Sequence, residues 1–280
     1  MTDTPAKPVL LTGASGALGR VLVRSLGALG WRLVLTDIVA FPDTLPAGAA
    51  FTRADLSDGV TMLRLAEGCG TIIHLGGVSV ERPFEEVIGP NIRGLYHVYE
   101  AARREKARVI FASSNHSVGF HERMESLGAD TQFLPDGYYG LSKAYGELMG
   151  RMYWFKHGVE SVNLRIGSAT SEPVNARMLA SWLSYGDFTR LVERCVLAPS
   201  VGNVVIWGAS NNARMTWWRD DARAALGWTP VDSADPFAGQ LAGAVSGDPV
   251  EERYMGGAYC SIEYSRGDRK STRLNSSHRH

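Results

Sequence analysis

The chain alternates short runs of consecutive apolar residues with longer stretches in which apolar residues recur every three or four positions. The runs predict buried strands at residues 9–12, 33–36, 50–56, 71–75, 108–113 and 161–166. The longer stretches predict helices at residues 17–29, 60–66, 91–104 and 139–157. Because fully apolar strands alternate with helices, the predicted fold class is α/β, with a doubly wound, Rossmann-type parallel sheet covered on both faces.

The regular alternation ends at Gly167, and the segment that follows is rich in tryptophan and interrupted by proline. We expect residues 1–167 to form the sheet core. Residues 168–267 are expected to form mainly a small C-terminal region over the carboxyl edge of the sheet, where such folds bind small molecules. Residues 268–280 are basic and polar with few apolar side chains, which is typical of a disordered or artificially added tail.

The composition argues against several kinds of partner and site. A formal net charge of zero, with 21% charged residues, favours neither nucleic acid nor an anionic membrane surface as the partner. The longest apolar runs are too short to cross a bilayer, and no signal pattern precedes the first strand, so we expect a cytoplasmic protein. Cys69, Cys195 and Cys260 have no ligand spacing and are expected to be reduced packing residues. The histidines form no metal-binding pattern either, so no metal site is predicted.

A glycine-rich loop, TGASGALGR, joins the first predicted strand to the first predicted helix. Gly13, Gly16 and Gly19 are separated by two residues each, and glycine also serves ordinary turns and helix caps. Their position between strand and helix is the context expected of a dinucleotide site, where backbone amides approach a pyrophosphate at the helix N-terminus.

An acidic residue follows at the distance that this kind of site requires. Asp37 ends the second strand, where a carboxylate accepts hydrogen bonds from ribose hydroxyls and repels a 2′-phosphate, which favours NAD over NADP. Arg20 mildly favours NADP instead, because an arginine at that position could bind a phosphate. Asp55 and Leu56, at the end of the third predicted strand, either contact the adenine or act as a helix N-cap and a core leucine.

The phrase YYGLSKAYGE contains a candidate proton acceptor. Tyr139 precedes Lys143 by four positions, whereas Tyr138 precedes Ser142 by the same distance. Residues i and i+4 of a helix share one face, so Tyr139 and Lys143 can point together into a site. A nearby ammonium lowers the pKa of a phenol, which makes the tyrosinate accessible. Ser114, in the preceding FASSNHS, is placed to hydrogen-bond the same substrate oxygen.

Together these motifs resemble the extended, sugar-active branch of the short-chain dehydrogenase/reductase superfamily, over about residues 8–262. The residues that carry the resemblance are TGASGALG, Asp37, Asp55, Asn91, SSNH and YGLSK. The resemblance implies NAD as the cofactor, bound by the 1–167 core, and a structural or proton-relay role for Asn91. The cofactor contacts that it implies are Gly13, Ser15, Gly16, Ala17, Leu18, Gly19, Asp37, Asp55, Leu56, Leu75, Asn91, Tyr139 and Lys143.

Longer phrases resemble the bacterial uronate dehydrogenases: HLGGVSVERPFE, NIRGLYHVYEAAR, FASSNH, LRIGSATSEP, NARMLASW and WGASNN. That family oxidises C1 of glucuronate or galacturonate with NAD⁺ and forms an aldarolactone. The catalytic residues implied are Tyr139, Lys143 and Ser114. The substrate-binding residues implied are Ser79, Ser114, Asn115, His116, Tyr139, Ser168, Arg177 and Tyr259.

From spacing alone, several of these residues have ordinary structural interpretations. Arg177 would be a surface helix arginine, whereas the resemblance implies that its guanidinium holds the substrate carboxylate through two parallel hydrogen bonds. The small polar residues would be caps or turn residues. Tyr259 is interpreted equally well as a core aromatic residue or as an aromatic residue over the pocket.

Two other functions remain open. A nucleotide-sugar epimerase or dehydratase of the same superfamily would need a larger C-terminal domain and a basic clamp for a diphosphate, which the sequence does not show. A non-catalytic dinucleotide-sensing protein could share the fold, but such proteins typically lack the Tyr/Lys pair. The resemblance also implies a homo-oligomer, because the long helices corresponding to residues 91–104 and 139–157 often pair subunits in this superfamily.

Overall fold

The computed structural model describes residues 4–219 and 221–266, so the predicted tail at 268–280 lies outside the described residues. The strands are β1 (Val9–Thr12), β2 (Leu33–Asp37), β3 (Ala49–Arg53), β4 (Thr71–His74), β5 (Arg108–Ser114), β6 (Ser161–Ile166), β7 (Ser168–Ala169), β8 (Trp182–Leu183) and β9 (Asn203–Gly208). The α-helices are α1 (Ala17–Ala28), α2 (Gly59–Ala66), α3 (Phe84–Val87), α4 (Gly94–Glu105), α5 (Tyr138–His157), α6 (Met178–Ser181), α7 (Tyr185–Leu197), α8 (Ala238–Leu241), α9 (Pro249–Arg253) and α10 (Ala258–Ser261). A π-helical segment spans Ile88–Arg93, and 3₁₀ turns span Asn115–Val118, Ala222–Ala224 and Asp235–Phe237.

The main sheet is parallel throughout and follows the order β3-β2-β1-β4-β5-β6-β9. The chain therefore leaves β1 in one direction for β2 and β3, and returns to the other side of β1 for β4. At this reversal the loops after β1 and β4 separate, and a crevice opens at the carboxyl ends of the strands. The predicted doubly wound α/β fold is confirmed.

Both faces of the sheet are covered, as its continuous apolar strands require. Val9 and Leu11 pack on one face against α1 and α7, while Leu10 packs on the other face against α2, α4 and α5. This opposition follows from the period-two alternation of side chains along a strand. A third cluster, around the stacked rings of Trp207 and Trp218, covers the carboxyl edge (centroids 4.8 Å apart).

Three segments differ from the sequence prediction. The third strand ends at Arg53 instead of Leu56, because the chain turns at Asp55, whose carboxylate accepts from the amide of Ser57 (2.8 Å). The N-cap of α2 is Asp58, which accepts from the amide of Thr61, so the interpretation of Asp55 as the helix cap is wrong. The helix predicted at 91–104 begins as the π-helical segment and continues as α4.

The region after Gly167 is more regular than its sequence suggests. Helix α7 packs beside α1, and β9 pairs with β6 at the edge of the main sheet. The sequence of β9, NVVIWG, contains a short apolar run, but no strand is predicted there from the sequence; only its first residues, Asn203 and Val204, are partly exposed. Among the described residues, none of the helices combines the length and apolar character that a membrane span requires.

Candidate active site

A cavity of ≈ 640 Å³ lies at the carboxyl ends of the central strands. Residues predicted to bind the cofactor line it from five parts of the chain: the loop after β1, the end of β2, the loop after β3, the loop after β4 and the first turns of α5. The predicted cofactor residues in this lining are Gly13, Ser15, Gly16, Ala17, Leu18, Gly19, Asp37, Asp55, Leu56, Leu75, Tyr139 and Lys143. The structure thus brings distant parts of the chain together in one crevice.

The glycines after β1 permit backbone approaches that other residues would prevent. Gly13 has φ +73°, and a Cβ there would lie 2.6 Å from the amide nitrogen of Gly76. A Cβ at Gly19 would overlap the carbonyl oxygen of Gly13. Helix α1 begins without a side-chain cap and without acidic residues in its first turn, so its N-terminal amides and dipole face the cavity. This cradle fits the pyrophosphate of a dinucleotide.

Asp37 is fixed at the end of β2. Its carboxylate accepts from the amide of Ser15 (2.9 Å) and from the amide of Val39 (3.2 Å). Arg20, the possible phosphate ligand, forms a two-pronged ion pair with Asp43 (2.8 and 3.0 Å). Because the charge of Arg20 is already paired, Arg20 gives little support for NADP. Among the described residues Asp37 forms no ion pair, so its negative charge faces the cavity and disfavours a 2′-phosphate.

Tyr139 and Lys143 lie on one face of α5, and both are buried. Lys143 donates to the carbonyl of Ala112 (2.7 Å), and its Nζ lies 5.4 Å from the centre of the Tyr139 ring. Burial lowers the pKa of Lys143 to about 8. Burial also raises the pKa of Tyr139, an effect that the hydrogen bond with Ser114 opposes. Desolvation of the buried phenol is the largest influence on the pKa of Tyr139, and the lowering expected from the ammonium of Lys143 stays a prediction.

The N-terminus of α5 is capped from a distant loop. Glu81 accepts through its two carboxylate oxygens from the amides of Tyr138 (2.8 Å) and Tyr139 (2.9 Å). A Cβ at Gly137 would overlap this carboxylate, so a larger residue there would displace Glu81 from its present position. Glu81 thereby holds the first turn of the helix that carries the candidate base. Sequence reasoning missed it, because a cap 57 residues away leaves no local pattern.

Asn91 lies outside the cavity lining. Its amide accepts from the nitrogen of Val78 (2.7 Å) and donates to the carbonyl of Val78 and the hydroxyl of Ser142 (2.9 Å each). These bonds tie the loop after β4 to α5, which is the structural alternative considered for this residue. Contact between Asn91 and the cofactor stays a prediction.

A polar group beside the cavity centres on Arg177. Its guanidinium donates to the carbonyl of Met255 (2.8 Å from Nε) and approaches the hydroxyls of Ser168 (3.4 Å) and Ser181 (3.5 Å). Asn115 accepts from it at 2.8 Å when its amide is oriented so that the nitrogen donates to the carbonyl of Ile166. Among the described residues Arg177 forms no ion pair. Burial, assisted by the charge of Arg123, lowers the pKa of Arg177 to about 10, although the negative charge of Asp136 is close enough to favour the charged form and oppose this shift.

Three aromatic rings connect Arg177's side of the site to Tyr139. The ring of His116 stacks on Tyr259 (centroids 4.0 Å apart, planes 16° apart) and meets the edge of Tyr139 (5.7 Å). Tyr259 thus packs on His116, outside the residues that line the cavity, and its place over a bound substrate stays a prediction. Of the remaining predicted substrate residues, Ser79 and Ser114 line the cavity itself.

The arrangement suits proton abstraction next to a bound anion. It presents a buried phenol, a serine and an ammonium on the cavity side, and on the other side a guanidinium that forms no ion pair with any described residue. Among residues 4–219 and 221–266, no cluster of three or more histidine, cysteine or acidic side chains is placed to hold a metal ion.

Comparison with known proteins shows the family. The chain is 44% identical over 262 residues to the uronate dehydrogenase of Pseudomonas syringae pv. tomato, an alignment that covers 92% of this chain and 94% of the relative. The chain belongs to the uronate dehydrogenase family. Residues 9–226 also match the broader NAD dependent epimerase/dehydratase family.

Solved uronate dehydrogenases share the fold over most of their length. A mutant of the Agrobacterium tumefaciens uronate dehydrogenase, complexed with NAD, is 41% identical with a TM-score of 0.85, covering 92% of this chain and 97% of that one. The glucuronic acid dehydrogenase of Chromohalobacter salexigens is 40% identical, also with a TM-score of 0.85, covering 91% of this chain and 97% of that one.

Proposed function

We propose that this chain oxidises C1 of a hexuronate, D-glucuronate or D-galacturonate, to the aldarolactone with NAD⁺. The observation that carries the proposal is the buried guanidinium of Arg177, which forms no ion pair within the described part of the chain and lies beside the small polar residues Ser168 and Asn115. Because burial makes an unpaired charge costly, a site of this kind favours an anionic ligand. A free uronate supplies one carboxylate and several hydroxyls, which match the serines and the asparagine around Arg177.

The residues present fit a dinucleotide. The glycine loop leaves room for a pyrophosphate at the first turn of α1, and Asp37 provides the acceptor for ribose hydroxyls. Lys143, at the cavity wall, would hold the nicotinamide ribose. When bound, NAD⁺ supplies the acceptor for the hydride that leaves C1, and its positive charge favours the tyrosinate form of Tyr139.

The chain's own side chains then perform the proton chemistry. Tyr139 removes the proton of the C1 hydroxyl, and Ser114 orients that hydroxyl through its Oγ. The ammonium of Lys143 stabilises the negative charge that develops on the phenol, although burial lowers the pKa of Lys143 to about 8 and so reduces the fraction of lysine that is charged. Oxidation at an anomeric carbon gives the lactone directly, so no water needs to enter the site.

The direct test is NADH absorbance on mixing the protein with NAD⁺ and each uronate, with NADP⁺ as the control. We expect NADH to accumulate with at least one uronate and much more slowly with NADP⁺. An epimerase or dehydratase would return its nucleotide to the oxidised form in each cycle and give no accumulation. A sensing protein would bind NAD without turnover, so either result would contradict the proposal.

We also propose that identical chains associate through α5. Leu141, Leu148, Met152 and Phe155 are exposed and recur along one side of this helix, and Phe155 is 82% exposed. Light scattering should give a mass above that of one chain, and Leu148→Glu together with Phe155→Glu should lower it. A monomeric wild-type protein would exclude this association.

We also propose a cytoplasmic location and a division of the chain into two regions. The three cysteines are buried and free of disulfides, which supports a cytoplasmic location. The change from long to short elements near Gly167 supports a division into a dinucleotide-binding core, 1–167, and a region that mainly shapes the substrate pocket, 168–267, although β9 and α7 join the core.

A further inference from the structure

The imidazole of His116 is held on three sides. One face stacks on Tyr259, one edge meets Tyr139, and Nδ1 lies 2.6 Å from Oδ2 of Asp136. The backbone amide of Asp136 also donates to the carbonyl of His116 (3.3 Å). The two residues are thus joined through both main chain and side chain. Within the described residues, Nε2 of His116 forms no hydrogen bond, and the side chain keeps 14% of its surface exposed.

The carboxylate of Asp136 is buried in a space that three glycines leave open. A Cβ at Gly119 or at Gly256 would overlap Oδ2, and a Cβ at Gly140 would lie 2.9 Å from Oδ1. These glycines come from the 3₁₀ turn after β5, from α5 and from the segment before α10. Glycines from three separate parts of the chain therefore leave the space that the carboxylate of Asp136 occupies.

Few groups compensate this buried carboxylate. Oδ1 has no hydrogen-bond partner in the described part of the chain, and Oδ2 has only His116 and a long contact with the thiol of Cys260 (3.9 Å). A buried acceptor left without partners costs stability. A buried acceptor of this kind is retained, despite its cost in stability, where the hydrogen bond that it does make serves binding or catalysis.

We propose that Asp136 is a positioning residue that sets the tautomer of His116 for substrate recognition. A carboxylate accepts only, so the proton of a neutral His116 must lie on Nδ1, and Nε2 becomes a hydrogen-bond acceptor. The tautomer of a histidine is commonly held in this way by a carboxylate on its other nitrogen. His116 would then accept from a hydroxyl of the sugar acid, beside the carboxylate site of Arg177.

This inference rests on the proposed function for the identity of the ligand, but its first test does not. In ¹⁵N-labelled wild-type protein at about pH 8, above the ordinary imidazole pKa, ring nitrogen shifts distinguish the two tautomers. The His116 signals are assigned by their loss in His116→Gln. We expect a proton on Nδ1 and none on Nε2. A proton on Nε2, in the other tautomer or in an imidazolium, would overturn the proposal.

The second test asks whether Asp136 acts through His116. In Asp136→Asn we expect kcat/KM for the uronate to fall about 10- to 100-fold, while the KM for NAD⁺ is unchanged. In a His116→Ala background the same change should cost less than about threefold, since the partner is already gone. Additive losses would mean that Asp136 acts on the structure at large, and would contradict the proposal.

The matched control is Glu125→Gln. Glu125 accepts from Nδ1 of His121 at 2.8 Å and so forms a second histidine–carboxylate pair, away from the cavity lining. Its removal should leave kcat/KM unchanged. If Asp136→Asn does not fold, the wild-type shifts still decide the tautomer. If the wild-type protein does not oxidise uronates, the proposed function fails while the measured tautomer stands.

Discussion

The two sides of the site are built in different ways. The dinucleotide side uses mainly backbone: glycines, a helix N-terminus and one acidic residue, drawn largely from the first 37 residues. The substrate side uses side chains from loops and short helices that are far apart in sequence. Arg177 and Tyr259, for example, are 82 residues apart. A backbone site requires a continuous motif, whereas a side-chain site requires only that the fold bring its members together.

The largest effect should come where the two sides meet. Tyr139→Phe removes the phenol that contacts both Lys143 and His116, so we expect turnover to fall about 10²- to 10⁴-fold. Binding of NAD, measured by calorimetry, should survive. Tyr138→Phe is the control, since Tyr138 is 45% exposed, and it should remain near wild type. Near-normal turnover in Tyr139→Phe would refute its role as the base.

Arg177 tests the substrate side alone. Arg177→Met should lower kcat/KM for the uronate by about 100-fold or more, because a carboxylate would lose its charged partner, an effect of about 2–5 kcal/mol. Arg177→Lys keeps the charge without the planar fork of donors, so its kcat/KM should lie between those of the wild type and Arg177→Met. The KM for NAD⁺ should not change in either variant. An equal loss in NAD⁺ binding would show that Arg177 also acts on the dinucleotide side, and would contradict this prediction.

Asp37 and Asp43 test the dinucleotide side. Asp37→Ser should lower kcat/KM for NAD⁺ about tenfold, because a hydrogen bond to a charged group is lost. Efficient use of NADP⁺ should require Asp43→Asn in addition, since Asp43 holds Arg20 in an ion pair. Cofactor preference measured in the single and double variants decides this. A full gain of NADP⁺ activity from Asp37→Ser alone would show that Arg20 is already available.

Glu81 should give the smallest effect. Glu81→Ala removes the cap of α5 and should lower the free energy of unfolding by about 0.5–2 kcal/mol, with a fewfold loss in kcat as Tyr139 is held less firmly. Glu81→Gln keeps one acceptor oxygen and should be milder. Glu85→Gln, on α3, is the control. Unchanged stability in Glu81→Ala, measured in urea, would show that the first turn of α5 needs no such cap.

Local patterns were sufficient for most of the fold. Apolar runs located the strands, and the strand–helix alternation predicted the parallel sheet. The prediction missed β9, whose short apolar run VVIW lies in a region interpreted as irregular, and it extended the third strand past the turn at Asp55. Both features are local: the Asp55 carboxylate accepts from the amide two residues later, which is a turn pattern that apolar periodicity does not reveal.

For the candidate site, contiguous motifs were informative and scattered residues were not. The spacing of Tyr139 and Lys143 placed both on one helical face without further information. Glu81, Asp136 and Ser181 escaped notice, because each acts on a residue reached only through the fold. The pKa of Tyr139 could not be anticipated either, since it depends on how much solvent the surrounding elements exclude.

The sequence by itself determined the parallel sheet, the dinucleotide loop with Asp37, and the choice of Tyr139 over Tyr138. These depend on periodicity and short spacing, which the chain carries locally. Only the tertiary structure decided that Arg20 is paired with Asp43, that Arg177 forms no ion pair with any described residue, and that Asp136 holds His116. Charge pairing and burial are properties of groups distant along the chain, so they arise only when the sheet brings its carboxyl edge together.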